Sequence, residues 1–249
     1  ALIDDAVTLK ANSTASVTGT VSVSAASAIA QVSKIKLNTT GTVSDSLANL
    51  VSGGAISSEL SNVTSDDTDA KITISNNTST IAATKLSLVT GSTTGSVILS
   101  NAHTITGNGA ELTAALVTDK VTAKTGSTAN VSGAVNVSIA SGIATATNVT
   151  AAFGGGISDA IANLAASGTA TTELTNASED TDVAITIKDN STTMQAADLY
   201  AITQSTSGAV NITNAQKISG TGAAVINALI DDAVTCLLYT SDAADDDVR

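Results

Sequence analysis

Short stretches in which apolar and polar residues alternate recur along the chain and predict β-strands. The clearest cover residues 6–10, 16–24, 71–75 and 95–99, where Val, Leu or Ile occupy most of the alternate positions. Alternation of this kind turns one side of a strand toward a core, and β-branched residues favour extended backbone. We therefore expect many short, half-buried strands.

Segments with helical spacing lie between these strands. In 44–51 the apolar residues fall at i, i+3 and i+4, behind a Ser-Asp pair that can cap a first turn. The stretch 107–116 has similar spacing, and longer helices are predicted over 25–35 and 80–89. A strand followed by a short helix, in steps of roughly 22 to 29 residues, is typical of leucine-rich-repeat-like coils.

The pattern repeats over a much longer period. The octapeptide ALIDDAVT at 1–8 returns unchanged at 228–235, and a degenerate copy begins at Ala115, so the spacings are 114 and 113 residues. We divide the chain into a first long repeat at 1–114, a second at 115–227 and the start of a third at 228–235.

A unit that can bury its apolar face only against its neighbours forms a stacked, quasi-one-dimensional protein. The predicted fold is a repeat solenoid of the α/β type, leucine-rich-repeat-like, with parallel strands and short helices on the opposite face. If the helices do not form, the same pattern gives an all-β solenoid.

Composition narrows the function classes. Charged residues make up 13% of the chain, about half the usual share, and the net charge is −12. With ten Lys and Arg spread along the chain, a nucleic-acid partner is not expected. No apolar run reaches the ~18 residues of a membrane span. Small and β-branched residues dominate, as suits closely stacked strands.

The final segment, 236–249, breaks the repeat inside a motif and contains the only cysteine, Cys236. It resembles translated sequencing-adapter read-through, and we expect it to be non-native. The alternative is a genuine acidic tail. The repeats themselves contain no cysteine, so disulfides and thiolate metal sites are not expected in them.

Two acidic turns are the sharpest candidates for chemistry. Clustered carboxylates offer the oxygen ligands that Ca²⁺ prefers, although their spacing matches no EF-hand. Calcium is therefore the one cofactor considered, and a plain solvated turn is the alternative. The candidate metal ligands are Asp66, Asp67 and Asp69 in the first repeat and Glu179, Asp180 and Asp182 in the second.

No catalytic constellation is evident. The only histidine, His103, has Gln216 as its counterpart in the second repeat. The chain has no nucleophile elbow, no phosphate-binding loop in a strand–helix context and no paired-carboxylate motif. We therefore predict that the protein is not an enzyme.

The phrases at 105–112, 43–50 and 185–187 resemble the long Ala/Thr/Ser-rich repeats of very large cell-surface proteins from marine cyanobacteria and related bacteria. The resemblance covers residues 1–235. It implies a secreted or outer-surface stalk, adhesin or motility-associated filament in an extracellular location, and it provides no active site.

The first functional hypothesis is accordingly a structural spacer or adhesive segment of an extracellular bacterial repeat protein. Its expected partners are neighbouring repeats and a cell-surface or matrix component. A calcium-stiffened adhesin repeat is one alternative, and an ice- or surface-binding Thr-rich solenoid is another. The ice-binding alternative needs Thr-x-Thr in every coil, whereas Thr104-Ile105-Thr106 becomes Lys217-Ile218-Ser219.

Overall fold

The structure is a computed structural model that describes residues 9–118, 121–190, 193–214, 216–231 and 234–236. The first copy of the octapeptide and nearly all of the suspected tail lie outside the described residues. Within the described ranges the chain is α/β, with ten α-helices and several parallel sheets.

The strands of the described residues are β1 Ser13–Val17, β2 Thr20–Val21, β3 Ile35–Thr39, β4 Thr42–Asp45, β5 Val51–Ser52, β6 Ala55–Ile56, β7 Ile72–Ile74, β8 Thr80–Ala82, β9 Val97–Leu99, β10 Thr104–Asn108, β11 Val121–Thr122, β12 Ser127–Ser132, β13 Val149–Ala152, β14 Ile157–Asp159, β15 Ala165–Ala166, β16 Thr169–Ala170, β17 Ile185–Ile187, β18 Thr193–Gln195, β19 Val210–Ile212, β20 Lys217–Ser219 and β21 Val234–Cys236. The helices are α1 Val23–Ala30, α2 Leu47–Leu50, α3 Ser58–Asp66, α4 Ala83–Ser92, α5 Gly109–Leu112, α6 Val137–Ala144, α7 Ile161–Leu164, α8 Thr172–Ala177, α9 Ala196–Thr203 and α10 Gly222–Ile226, with π-helical segments at Thr113–Thr118 and Asn227–Asp231.

Three parallel sheets organise the chain. The N-terminal sheet has the order β2-β4-β7-β9-β11, the central sheet β8-β10-β12-β13, and the C-terminal sheet β14-β17-β19-β21. Two further parallel pairs are β1-β3 and β18-β20. Each strand pairs with a strand one segment later in the chain, as in Ser13 with Ile35 and Val43 with Ile72.

The α/β prediction is confirmed, and the all-β alternative is wrong because short helices separate the strands. Two predicted helix boundaries are wrong. The predicted helix 25–35 ends at Ala30, and a strand starts at Ile35. The predicted helix 80–89 begins instead at Ala83, because pairing with β10 holds Thr80 in a strand. Long-range pairing overrides local helical spacing at both places.

The core lies between the inner faces of the sheets and the helices. In β7, Ile72 and Ile74 are fully buried while Thr73 between them is partly exposed. Leu60 and Val63 of α3 are fully buried as well, at helical spacing. Full burial of such side chains stabilises the fold by about 1.5–3 kcal/mol each.

Two tight hairpins lengthen one segment in each half of the chain. The hairpin β5-β6 turns at Gly53 and Gly54, with φ of 61° and 83°. The hairpin β15-β16 turns at Ser167 and Gly168, with φ of 54° and 76°. Two consecutive residues at positive φ match the twist of a two-residue hairpin. Beyond each longer segment the pairing shifts, so that β4 pairs with β7 and β14 with β17.

Side chains also bond to the backbone of the preceding segment at matching places in both halves. These bonds satisfy carbonyl groups at the corners, where the parallel ladders end. They run from Asn101 Nδ2 to Asn76 O at 2.7 Å, from Asn214 Nδ2 to Asp189 O at 3.0 Å, from Thr93 Oγ1 to Ala70 O at 2.7 Å and from Thr206 Oγ1 to Val183 O at 2.6 Å.

Close stacking predicts opposite outcomes for two nearby glycines. A Cβ at Gly95 would lie 2.5 Å from the carbonyl oxygen of Ala70, whereas a Cβ at Gly91 in α4 would meet nothing within 4 Å. We expect Gly95→Ala to destabilise the protein by about 2 kcal/mol and Gly91→Ala to stabilise it by about 0.5 kcal/mol. Urea unfolding measures both, and equal effects would contradict the packing described.

Candidate functional site

The acidic turn of the first half caps the end of a sheet. Strand β3 pairs with β1 on one side only. On its other side, Asp66 accepts a hydrogen bond from Leu37 N–H. Oδ2 of Asp67 accepts bonds from Thr39 N–H at 2.6 Å and from its hydroxyl at 2.5 Å. The two carboxylates therefore take the place of the carbonyl groups that a further strand would present.

The second half has a reduced version of this cap. Oδ2 of Asp180 accepts a hydrogen bond of 2.6 Å from the N–H of Phe153, which directly follows β13, the last strand of the central sheet. Burial raises the pKa of the Asp180 carboxyl; the Phe153 bond opposes that rise, and the Asp182 carboxylate adds to it. Glu179 is exposed and takes no part in the cap.

The structure therefore separates the predicted calcium ligands. Asp66, Asp67 and Asp180 bind backbone amides, whereas Asp69 and Asp182 are exposed. Among the described residues, no group of three or more His, Cys, Asp or Glu side chains could hold a metal ion. Calcium binding stays a prediction, and the geometry gives three of these carboxylates a structural role that does not require an ion.

His103 is buried beside the central sheet. Its Nδ1 lies 2.8 Å from the carbonyl oxygen of Thr78, and its N–H faces the hydroxyl of Ser127 at 3.3 Å. Its Nε2 has no hydrogen-bond partner among the described groups. No carboxylate or nucleophile bonds to the ring, so these contacts give His103 a packing role.

The outer face of the central sheet carries an unbroken column of threonines. The pairing sets Thr104 beside Thr80 on one side and Thr128 on the other, and Thr128 beside Thr150. The hydroxyl of Thr128 donates to that of Thr104 at 3.2 Å. We call these four residues the threonine column. Its hydroxyls repeat at the ~4.8 Å spacing of neighbouring strands.

A second column runs beside the first, two residues further along each strand. It consists of Ala82, Thr106, Asn130 and Ala152. Thr106, Asn130 and Ala152 line an open groove of about 500 Å³ that continues along Gly107 and Ser132. The face is therefore flat, regular and lined by small groups, with no charged side chain in either column.

Sequence reasoning missed the threonine column because it crosses the boundary between the long repeats. Thr80 and Thr104 belong to the first repeat, and Thr128 and Thr150 to the second. The equivalent positions in the other sheets pair Thr14 with Lys36 and Thr193 with Lys217. The available signal was a threonine at the start of four strands separated by 22 to 24 residues.

Comparison with protein-family models, curated proteins and solved structures gives no match. In the described part of the chain, no helix combines the length and the apolar character that crossing a bilayer requires. The function must therefore be argued from the geometry of the sheets, their caps and their exposed faces.

The cap geometry predicts unequal effects for two aspartates of one turn. Asp67→Asn replaces one carboxylate oxygen with an amide that cannot accept the bonds of Thr39, so we expect a loss of about 1–3 kcal/mol in unfolding free energy. Asp69→Asn, at an exposed position of the same turn, should change it by less than about 0.5 kcal/mol. Denaturant unfolding distinguishes them, and a larger loss at Asp69 would contradict the cap.

Proposed function

We propose that the chain is part of a repeat solenoid and serves, without catalysis, as a structural spacer or adhesive segment of an extracellular bacterial repeat protein. The observation that carries this proposal is the parallel pairing of successive segments through three sheets. Each segment covers the apolar side of the next, so added repeats extend the molecule instead of enlarging one core.

The distribution of polar contacts supports the same proposal. Side chains bond to backbone groups about one segment away, as Asn101 does to Asn76 and Asn214 to Asp189. The carboxylate caps of Asp67 and Asp180 recur at the ends of two sheets. Stiffness follows from many small contacts of this kind, repeated at every step along the chain, and none of them calls for a reactive group.

The length of the molecule tests this proposal. Each long repeat adds four parallel steps, so proteins with two, three and four consecutive repeats should lengthen by about 20 Å per repeat, at ~4.8 Å per step. Small-angle X-ray scattering measures the maximum dimension. Growth with the cube root of mass would contradict the proposal, because it indicates globular packing.

A second candidate function is supported by the threonine column, and it is binding to an ordered surface such as ice or a mineral. Four hydroxyls in one line at a fixed spacing, beside a column of small residues, form a flat and rigid array. The array is confined to the central sheet, since lysine replaces threonine in the pairs β1-β3 and β18-β20. This candidate therefore assigns binding to one face of the molecule.

Thermal hysteresis of the protein in solution tests this second candidate. The substitution Thr104→Lys introduces the residue that stands at the equivalent position 217 and interrupts the threonine column, so it should abolish hysteresis. Thr122→Lys, on an exposed position of the N-terminal sheet, should leave it intact. The candidate fails if the unaltered protein shows no hysteresis or if the two variants behave alike.

A further inference from the structure

An open cleft of about 430 Å³ lies between the central and C-terminal sheets, away from the threonine column. It is lined by residues at the start of α5, at the start of α6 and on β14. Its volume falls in the range of pockets that hold small molecules. Val135 and Ile139 supply an apolar wall, while Asn108, Asn136, Ser158 and Lys188 supply polar groups.

Ser158 is the unusual group in this cleft. It is 8% exposed, and its Oγ has no hydrogen-bond partner among the described groups. A buried hydroxyl without a partner is costly, so a partner from outside the chain would be favourable there. The equivalent residue of the first half, Ser44, is only partly buried and faces no such cleft among the described pockets.

The asparagines of the cleft are already committed through their oxygens. Oδ1 of Asn108 accepts a bond from Glu111 N–H at 3.0 Å, and Oδ1 of Asn136 accepts one from Ile139 N–H at 2.8 Å. These caps fix both amides and leave their Nδ2 groups as donors. With the ammonium group of Lys188, the polar groups of the cleft are predominantly donors.

Two carboxylates stand near the cleft, and both are occupied by backbone amides. Oε2 of Glu111 accepts a bond from Asn108 N–H at 2.9 Å. Oδ2 of Asp159 accepts one from Val137 N–H at 3.0 Å. Their negative charge is thus directed at the starts of the helices, where the backbone N–H groups compensate it. Lys188 is the one cation among the residues that line the cleft.

We propose that this cleft binds a hexuronate unit of an acidic polysaccharide. Lys188 pairs with the sugar carboxylate, Ser158 exchanges a hydrogen bond with a ring hydroxyl, and Val135 and Ile139 contact the apolar edge of the pyranose. This proposal goes beyond the spacer role, because reach and stiffness require no ligand. It names a class of extracellular partner by its chemistry, a carboxylate next to several hydroxyls.

The test is a titration of the whole chain with D-glucuronate, followed by amide chemical shifts in NMR, with D-glucose as the uncharged control. Glucuronate should shift the amides of Val135, Ser158 and Lys188, and glucose should shift them much less. Ser158→Ala and Lys188→Gln should each weaken binding about tenfold, the typical effect of losing a hydrogen bond to a charged or buried group.

Ser44→Ala is the matched control and should bind glucuronate like the unaltered protein. Thermal melting of each variant shows that loss of binding is not loss of folding. The proposal is overturned if glucuronate causes no shifts at the cleft, if glucose binds equally well, or if Ser158→Ala binds as tightly as Ser44→Ala. None of these outcomes bears on the length of tandem repeats, so the spacer proposal is judged separately.

Discussion

The structure depends on parallel backbone pairing between segments that lie 22 to 29 residues apart, as Val23 and Asp45, or Leu47 and Asn76, illustrate through their hydrogen bonds. In such an arrangement no strand is satisfied by its immediate neighbour in the chain. Every N–H and C=O group on a strand needs the preceding and following segments. Regular segment length and small side chains at the corners follow from this one requirement.

The same requirement explains the acidic turns. Each sheet has a last strand, because the hairpin-containing segments shift the pairing by one strand position. The unpaired N–H groups of β3 and of Phe153 then need acceptors, and an open edge would invite pairing with another chain. Asp67 and Asp180 satisfy these groups within the molecule. Charge in a chain with few charged residues is thus placed where the ladders stop.

Much of this could be predicted from the sequence, since alternation in 71–75 and 95–99 identified β7 and β9, and the helical spacing of 44–51 identified α2. The pairing partners could not be predicted, because a step of 29 residues instead of 22 decides which sheet a strand joins. The positive-φ pair Gly53-Gly54 was a readable signal for the hairpin that sets this step. The roles of Asp67 and of the threonine column depend on that pairing, so residue type alone suggested calcium for the first and left the second unseen.

Nuclear Overhauser contacts between backbone protons test the central claim most directly. Parallel pairing of successive segments predicts contacts between Ile72 and Val97, between Ile105 and Ala129 and between Ile185 and Val210. Contacts instead between strands adjacent in the chain, such as β9 with β10 or β17 with β18, would indicate an antiparallel meander. That result would contradict the stacked arrangement and the functions drawn from it.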